Sequence, residues 1–192
     1  MEKQKAAAIA AEIIMLYQQH GGKEYAGEKL SQTEHMLQAA MLARQQGYDD
    51  EVVLAAFLHD IGHICEAAAA NNHMDGWGIK DHEEIGALYL KEKGFTDRLC
   101  KLVSSHVAAK RYLTLKEPGY YESLSEASKQ TLAYQGGRMN EAEAIAFEND
   151  ELFNLMITMR RWDEAAKIEG MPLQDVTHYE QLLTHYLIKQ NK

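Results

Sequence analysis

Proline is nearly absent from this chain: 192 residues hold two, Pro118 and Pro172. Little therefore interrupts helices, since an internal proline removes a hydrogen bond and costs about 3 kcal/mol. Cysteine is as scarce, and Cys65 and Cys100 lack the spacing of a disulfide framework or a cysteine zinc site. There is no 18-residue apolar run and no secretory leader pattern, which argues against a membrane-spanning helix and sets a cytoplasmic expectation. Positive charge is in deficit, 20 Lys and Arg against 29 Asp and Glu, for a net charge of -9. A nucleic-acid backbone would be repelled over most of such a surface. The expected partner is a small molecule, with no nucleic acid or membrane, and the expected state is a monomer or small homo-oligomer. Strand alternation, internal repeats and low-complexity segments are also missing.

What remains is helix-forming sequence with clear punctuation. One helix is expected over Ala6 to Gln19, stopped by Gly21-Gly22. Ser31-Gln32-Thr33-Glu34 reads as a capping box that opens a helix carrying His35 in its first turn and ending at Gly47. Asp49 or Asp50 caps the next, with Leu54, Leu58 and Ile61 at helical spacing, and this helix is expected to deliver His59, Asp60 and His63. Asp81 opens another, closed by Gly94, and Thr96 opens the helix of His106 and Lys110. Further helices are expected over Ser125 to Tyr134, Asn140 to Phe147, Glu151 to Ile168 and Thr177 to Ile188. The fold class is all-α, and residues 1–192 are read as one domain.

The chemistry sits on these helices. His59 and Asp60 end an apolar run, Val52-Val53-Leu54-Ala55-Ala56-Phe57-Leu58, where a polar pair is costly to bury unless a cation holds it. His35 lies upstream, and His82, His106 and Asp163 lie downstream. Four imidazoles and two carboxylates suffice for two metal ions with positions left open, the arrangement of a catalytic site. Adjacent helical residues point about 100° apart, so His59 can touch one ion while Asp60 reaches a second. That geometry permits a bridge without requiring one. Taken singly, each of these residues would more often be an ordinary core or surface group. Their joint order sets them apart from His20, His73, His178 and His185, which are read as structural.

Other residues gain meaning by position. His63 follows His59 by four and Lys110 follows His106 by four, so each shares a ligand-bearing face. A lysine beside two cations is repelled unless an anion lies between, which points to a phosphate-like or carboxylate substrate; the plainer reading is a solvated helix charge. Arg160 precedes Asp163 by three and faces the same way, whereas Arg161 turns aside. Ser128, Thr131 and Gln135 form a polar stripe that can complete an anion pocket or simply face solvent. Met156 and Met159 read as core fillers. Tyr25-Ala26-Gly27-Glu28 is, on its own physics, an ordinary loop.

The order His, His-Asp, His, His, Asp on helices resembles the HD-domain superfamily, which holds many phosphohydrolases and a small branch of mixed-valent diiron oxygenases that includes inositol oxygenase. The likeness sharpens over residues 25 to 165. Tyr25-Ala26-Gly27-Glu28 with Ser31-Gln32-Thr33-Glu34-His35, Ala55 to His63, His106-Val107-Ala108-Ala109-Lys110-Arg111-Tyr112-Leu113 and Met159-Arg160-Arg161-Trp162-Asp163-Glu164 are similar to the PhnZ family of diiron oxygenases.

That resemblance implies a single HD-domain helical bundle with a dinuclear site between helices, two iron ions as an Fe(II)/Fe(III) pair, and O2-dependent cleavage of the carbon–phosphorus bond of 2-amino-1-hydroxyethylphosphonate to glycine and phosphate. It implies that His35, His59, Asp60 and Asp163 hold one iron and that Asp60, His82 and His106 hold the other. Tyr25 would cap the second iron before substrate arrives, and Glu28 would accept hydrogen bonds from the substrate ammonium. His63, Lys110, Ser128, Gln135 and Arg160, with Thr131 beside them, would surround the phosphonate. The competing expectations are a metal-dependent phosphohydrolase with the same ligands, an oxygenase for another 1-hydroxyphosphonate such as hydroxymethylphosphonate, and a metal-stabilised binding domain without turnover.

Overall fold

A computed structural model describes residues 1–25, 27–65 and 74–190. The order of helices is α1 (Lys3–His20), α2 (Gln32–Gln45), α3 (Asp50–Leu58), a short 3-10 turn (Ile61–His63), α4 (His82–Glu92), α5 (Asp97–Lys116), α6 (Tyr120–Ser123), α7 (Glu126–Tyr134), α8 (Glu141–Glu148), α9 (Phe153–Ala165) and α10 (His178–Lys189). Among the described residues the extended structure amounts to one isolated bridge, Glu24 to Ser31. The fold is the expected all-α bundle. The reading of His73 falls outside the described residues.

The starts of the helices follow their caps. Ser31 accepts from the Glu34 N–H while the Glu34 carboxylate returns to the Ser31 N–H, and Asn140 and Glu143 repeat the arrangement. Thr96 and Ser125 cap α5 and α7 by the same serine or threonine chemistry. Asp81 differs: it precedes α4 in a left-handed conformation, φ 57°, and its side chain makes no cap. Helix α9 is shorter at both ends than the sequence pattern suggests, and α6 is not expected from it.

The bundle is arranged around α3. It packs against α2 on one side and α5 on another, while α9 lies across α2 and α5 and α10 pairs with α1. Every residue of α3 from Val52 to Leu58 is buried. Phe57 is sandwiched between the rings of Tyr17 and Tyr179, with centroids 4.4 and 4.2 Å away. Burial of rings of this size contributes a few kcal/mol each, so the sandwich fixes the height at which α3 ends.

That end is where the sequence reading needs correction. The helix stops at Leu58, Asp60 leaves helical geometry at φ -105° and ψ 12°, and His63 belongs to the 3-10 turn. His63 therefore does not continue the α-helical face of His59. The cause is a backbone crossing: a Cβ on Gly62 would come within 1.8 Å of the His82 carbonyl oxygen, and one on Gly86 within 3.1 Å of the Gly62 nitrogen. Only glycines let the turn lie this close to α4.

Candidate metal centre

The four histidines of the array converge by a shared device. In each ring Nδ1 faces a backbone carbonyl: His59 to Ala56 at 2.9 Å, His82 to Ile79 at 3.0 Å, His106 to Val103 at 2.9 Å and His35 to Ala166 at 2.9 Å. A carbonyl only accepts, so Nδ1 carries the proton and the lone pair of the neutral ring lies on Nε2. Those lone pairs then face one another. His35 Nε2 is 3.1 Å from His59 Nε2, and His82 Nε2 is 2.9 Å from His106 Nε2. Two lone pairs held at that distance repel unless a cation sits between or beside them, and orientation through the second nitrogen is how metal-bound histidines are set.

Asp60 lies between the two pairs. Its Oδ1 is 3.3 Å from both His82 Nε2 and His106 Nε2, while Oδ2 is 3.6 Å from His35 Nε2 and 3.5 Å from His59 Nε2. Oδ2 is buried without a hydrogen-bond partner among the described residues. Asp163 joins the first pair only, with Oδ1 3.3 Å from His35 Nε2. Its Oδ2 is held by Arg160, whose Nε also reaches Tyr120 Oη and Glu164 Oε1, each at 3.0 Å. All six side chains are buried. The donor set suits two cations, one within His35, His59 and Asp163 and a second beside Asp60 and His82, with the Asp60 carboxylate able to serve both.

The electrostatics agree. Burial raises the Asp60 carboxyl, yet the neighbouring His59, His106 and His82 outweigh it and hold it well below the carboxylate range. Burial likewise opposes ionisation of Asp163, but Arg160 and the histidines keep it charged. His59 is pushed down to about 4, chiefly by burial, so its ring is neutral and free to ligate at neutral pH.

A cavity opens onto the second pair. Of the residues expected to meet substrate, Tyr25, His63, Lys110, Ser128, Thr131, Gln135 and Arg160 all line it. The His63 ring stacks on His82 with centroids 4.0 Å apart, and its Nδ1 accepts the Ile79 N–H at 3.2 Å. The proton is therefore on Nε2, which makes His63 a hydrogen-bond donor to the cavity although its nitrogens lie within ligand range of Asp60 and His82. Lys110 donates to Thr131 Oγ1 at 2.9 Å, and burial with Arg160 nearby lowers its pKa to about 7. Gln135 contributes a buried Oε1 that has no partner among the described residues. Tyr25 stacks on His35, centroids 4.0 Å apart, and burial together with Asp60 and Asp163 holds its phenol protonated.

Two residues depart from the sequence reading. Glu28 does not line the cavity; its Oε1 accepts from Lys167 Nζ at 2.9 Å. Lys167 lines the cavity instead, and the sequence reading does not single it out. A signal exists, since Lys167 follows Asp163 by four, the same relation that marks Lys110. The histidines outside the array stay apart from the centre: His20 closes α1, His178 opens α10, and exposed His185 bonds back to Gln181.

The HD domain family matches residues 33–155. The chain belongs to the HD-domain family. Within it, the likeness is to PhnZ-type oxygenases. It is 38% identical to a [1-hydroxy-2-(trimethylamino)ethyl]phosphonate dioxygenase (glycine-betaine-forming) of Leisingera caerulea, covering 91% of this chain and 88% of that one. It is 37% identical to a hydroxymethylphosphonate dioxygenase of Gimesia maris, covering 87% and 82%. A protein of Acanthamoeba polyphaga mimivirus, described as uncharacterized, is 45% identical over 91% of this chain and 80% of its own. This HD-domain protein is accordingly an oxygenase of that type.

Proposed function

We propose that the enzyme uses two iron ions, as an Fe(II)/Fe(III) pair, and O2 to cleave the carbon–phosphorus bond of a 1-hydroxyphosphonate. The observation that carries this reading is the pairing of Nε2 lone pairs on either side of Asp60, next to a cavity lined by Lys110, Arg160 and His63. In it, His35, His59, Asp163 and Asp60 hold one ion, and Asp60, His82 and His106 hold the other. Bound there, the irons supply oxygen activation and a Lewis-acidic seat for the substrate's hydroxyl and phosphonate oxygens.

The chain's own groups bind and orient. Lys110, the His63 Nε2–H, Ser128, Thr131, Gln135 and Arg160 receive the phosphonate, fixing C1 against the ions so that little orientation remains to be lost in the reaction. Tyr25 screens the centre before substrate enters. Lys110, Thr131 and Arg160 are buried, which strengthens their charge contacts. The products follow by atom balance: one oxygen of O2 enters the carbon fragment as a carboxylate and the other leaves on phosphorus as phosphate.

The aminated substrate 2-amino-1-hydroxyethylphosphonate, giving glycine and phosphate, is the one the family resemblance implies. A specific observation favours a second: Lys167 already pairs with Glu28 and presents its ammonium to the cavity, which suits hydroxymethylphosphonate, giving formate and phosphate. We place the reaction in the cytoplasm, a reading supported by the scarcity of cysteine, two residues in 192 without framework spacing; among the described residues no helix is long and apolar enough to cross a membrane.

The test is anaerobic purification, iron quantitation and O2 uptake on a panel of 1-hydroxyphosphonates with phosphate release. Two irons per chain, a coupled-pair electron paramagnetic signal after partial oxidation and uptake matched by phosphate are expected. Full activity with zinc or magnesium alone, independent of O2, would overturn the reading and establish a phosphohydrolase.

A further inference from the structure

Beside Tyr25 the cavity carries a charge arrangement of its own. Lys167 Nζ donates to Glu28 Oε1 at 2.9 Å and to Ser125 Oγ at 3.2 Å, and it lies 5.6 Å from the centre of the Tyr25 ring. A carboxylate, a hydroxyl and an aromatic face around one point are the groups that bind an ammonium ion. Here the ammonium belongs to the protein. Both side chains are largely buried, Lys167 17% and Glu28 20% exposed, so neither charge is well screened by water. Burial opposes ionisation of Glu28, but its bond to Lys167 lowers its pKa, so its carboxylate is ionised.

The consequence for ligands follows from which partner faces the cavity. Lys167 lines it and Glu28 does not. A second ammonium entering here meets a positive charge and a carboxylate whose Oε1 is already engaged. Lys110 and Arg160 line the same cavity, so no cationic group on a ligand gains by moving inward. The geometry points to Lys167 as the specificity-determining residue of this site: an internal counter-cation that fills the ammonium position beside Glu28 and selects hydroxyphosphonates whose C1 substituent carries no positive charge. The inference rests on the hydroxyphosphonate reading above.

Its test compares wild type, Lys167→Met, Lys167→Arg and Glu28→Gln. The two ligands are hydroxymethylphosphonate and 2-amino-1-hydroxyethylphosphonate. Binding is measured by calorimetry on zinc-loaded protein, and kcat/KM by O2 uptake on iron-loaded protein. Wild type is expected to favour the amine-free ligand. Lys167→Met frees Glu28, and the preference should move toward the aminated ligand by about 10-fold or more, the worth of one charge-assisted hydrogen bond. Lys167→Arg keeps the charge and should keep the preference, whereas Glu28→Gln leaves Lys167 uncompensated and should disfavour the amine further. An unchanged ratio in Lys167→Met with normal metal content overturns the inference. So does an equal loss on both ligands, which would assign Lys167 to the phosphonate. Failure of the underlying reading is distinct: wild type would then bind neither phosphonate and consume no O2 with either.

Discussion

The two halves of the metal centre are built from the same residue types and are differently enclosed. The half formed by His35, His59 and Asp163 is the more enclosed: neither histidine lines the cavity, which this half meets through Asp163, while Tyr25 stacks on His35, Arg160 holds the second oxygen of Asp163, and the remaining carboxylate contact comes from Asp60 Oδ2. The half formed by His82, His106 and Asp60 Oδ1 has fewer protein donors and looks into the cavity through His63 and Lys110. Similar ligand atoms would thus hold an ion more completely on one side and leave room for substrate beside an ion on the other. The surroundings make the distinction, and each experiment below removes one element of it.

The largest effect is expected where the halves join. Asp60→Ala removes the one carboxylate shared by both pairs, and both metals and all turnover should be lost, measured by metal analysis and O2 uptake. Retention of two metals per chain would show that Asp60 does not bridge. His82→Ala should break the symmetry: one ion is retained by His35, His59 and Asp163, the other is depleted and activity is abolished. Loss of both ions in equal measure would mean the halves are not separable.

A smaller effect is expected at the anion end of the cavity. Lys110→Ala should leave metal content intact and weaken phosphonate binding by about 1.5 to 3 kcal/mol, the range of a charge-assisted hydrogen bond. An unchanged KM and kcat would remove Lys110 from substrate binding. The smallest concerns stability of the metal-free protein. The folded Lys110 pKa is about 7 against 10.5 for the free side chain, so between those values the unfolded chain binds more protons and stability rises with pH. Below about 7 the penalty of burying the charged lysine is fully present. Urea midpoints at pH 7, 8 and 9 should therefore climb more steeply in wild type than in Lys110→Met, and parallel slopes would contradict the shift.

Much of this arrangement is legible in the amino-acid sequence. The helix starts are written in local chemistry, Ser31 with Glu34, Thr96, Ser125, and Asn140 with Glu143, because a cap acts within four residues of itself. The six array residues are legible for a related reason: each sits at a helix end or on a helix face, where spacing fixes direction. What escapes a sequence reading depends on tertiary approach. The helix break at Asp60 follows from Gly62 lying against the His82 carbonyl, a meeting no local pattern encodes. Glu28 looks free for a ligand because its partner, Lys167, is 139 residues away. Tyr25 gains significance only through the stacking of its ring on His35.

The carbonyl anchors of the four histidines carry one more consequence, for the order in which the centre comes into existence. His59, His82 and His106 are each oriented by a carbonyl three residues earlier, so each ring is aimed as soon as its own turn of backbone forms. His35 waits for Ala166, 131 residues downstream. On a ribosome, Asp60, His82 and His106 have all been translated by residue 106, whereas the other half lacks Asp163 and the His35 anchor until residue 166. The half that opens onto the cavity is thus the elder, and the half with the fuller donor set is the last to be completed.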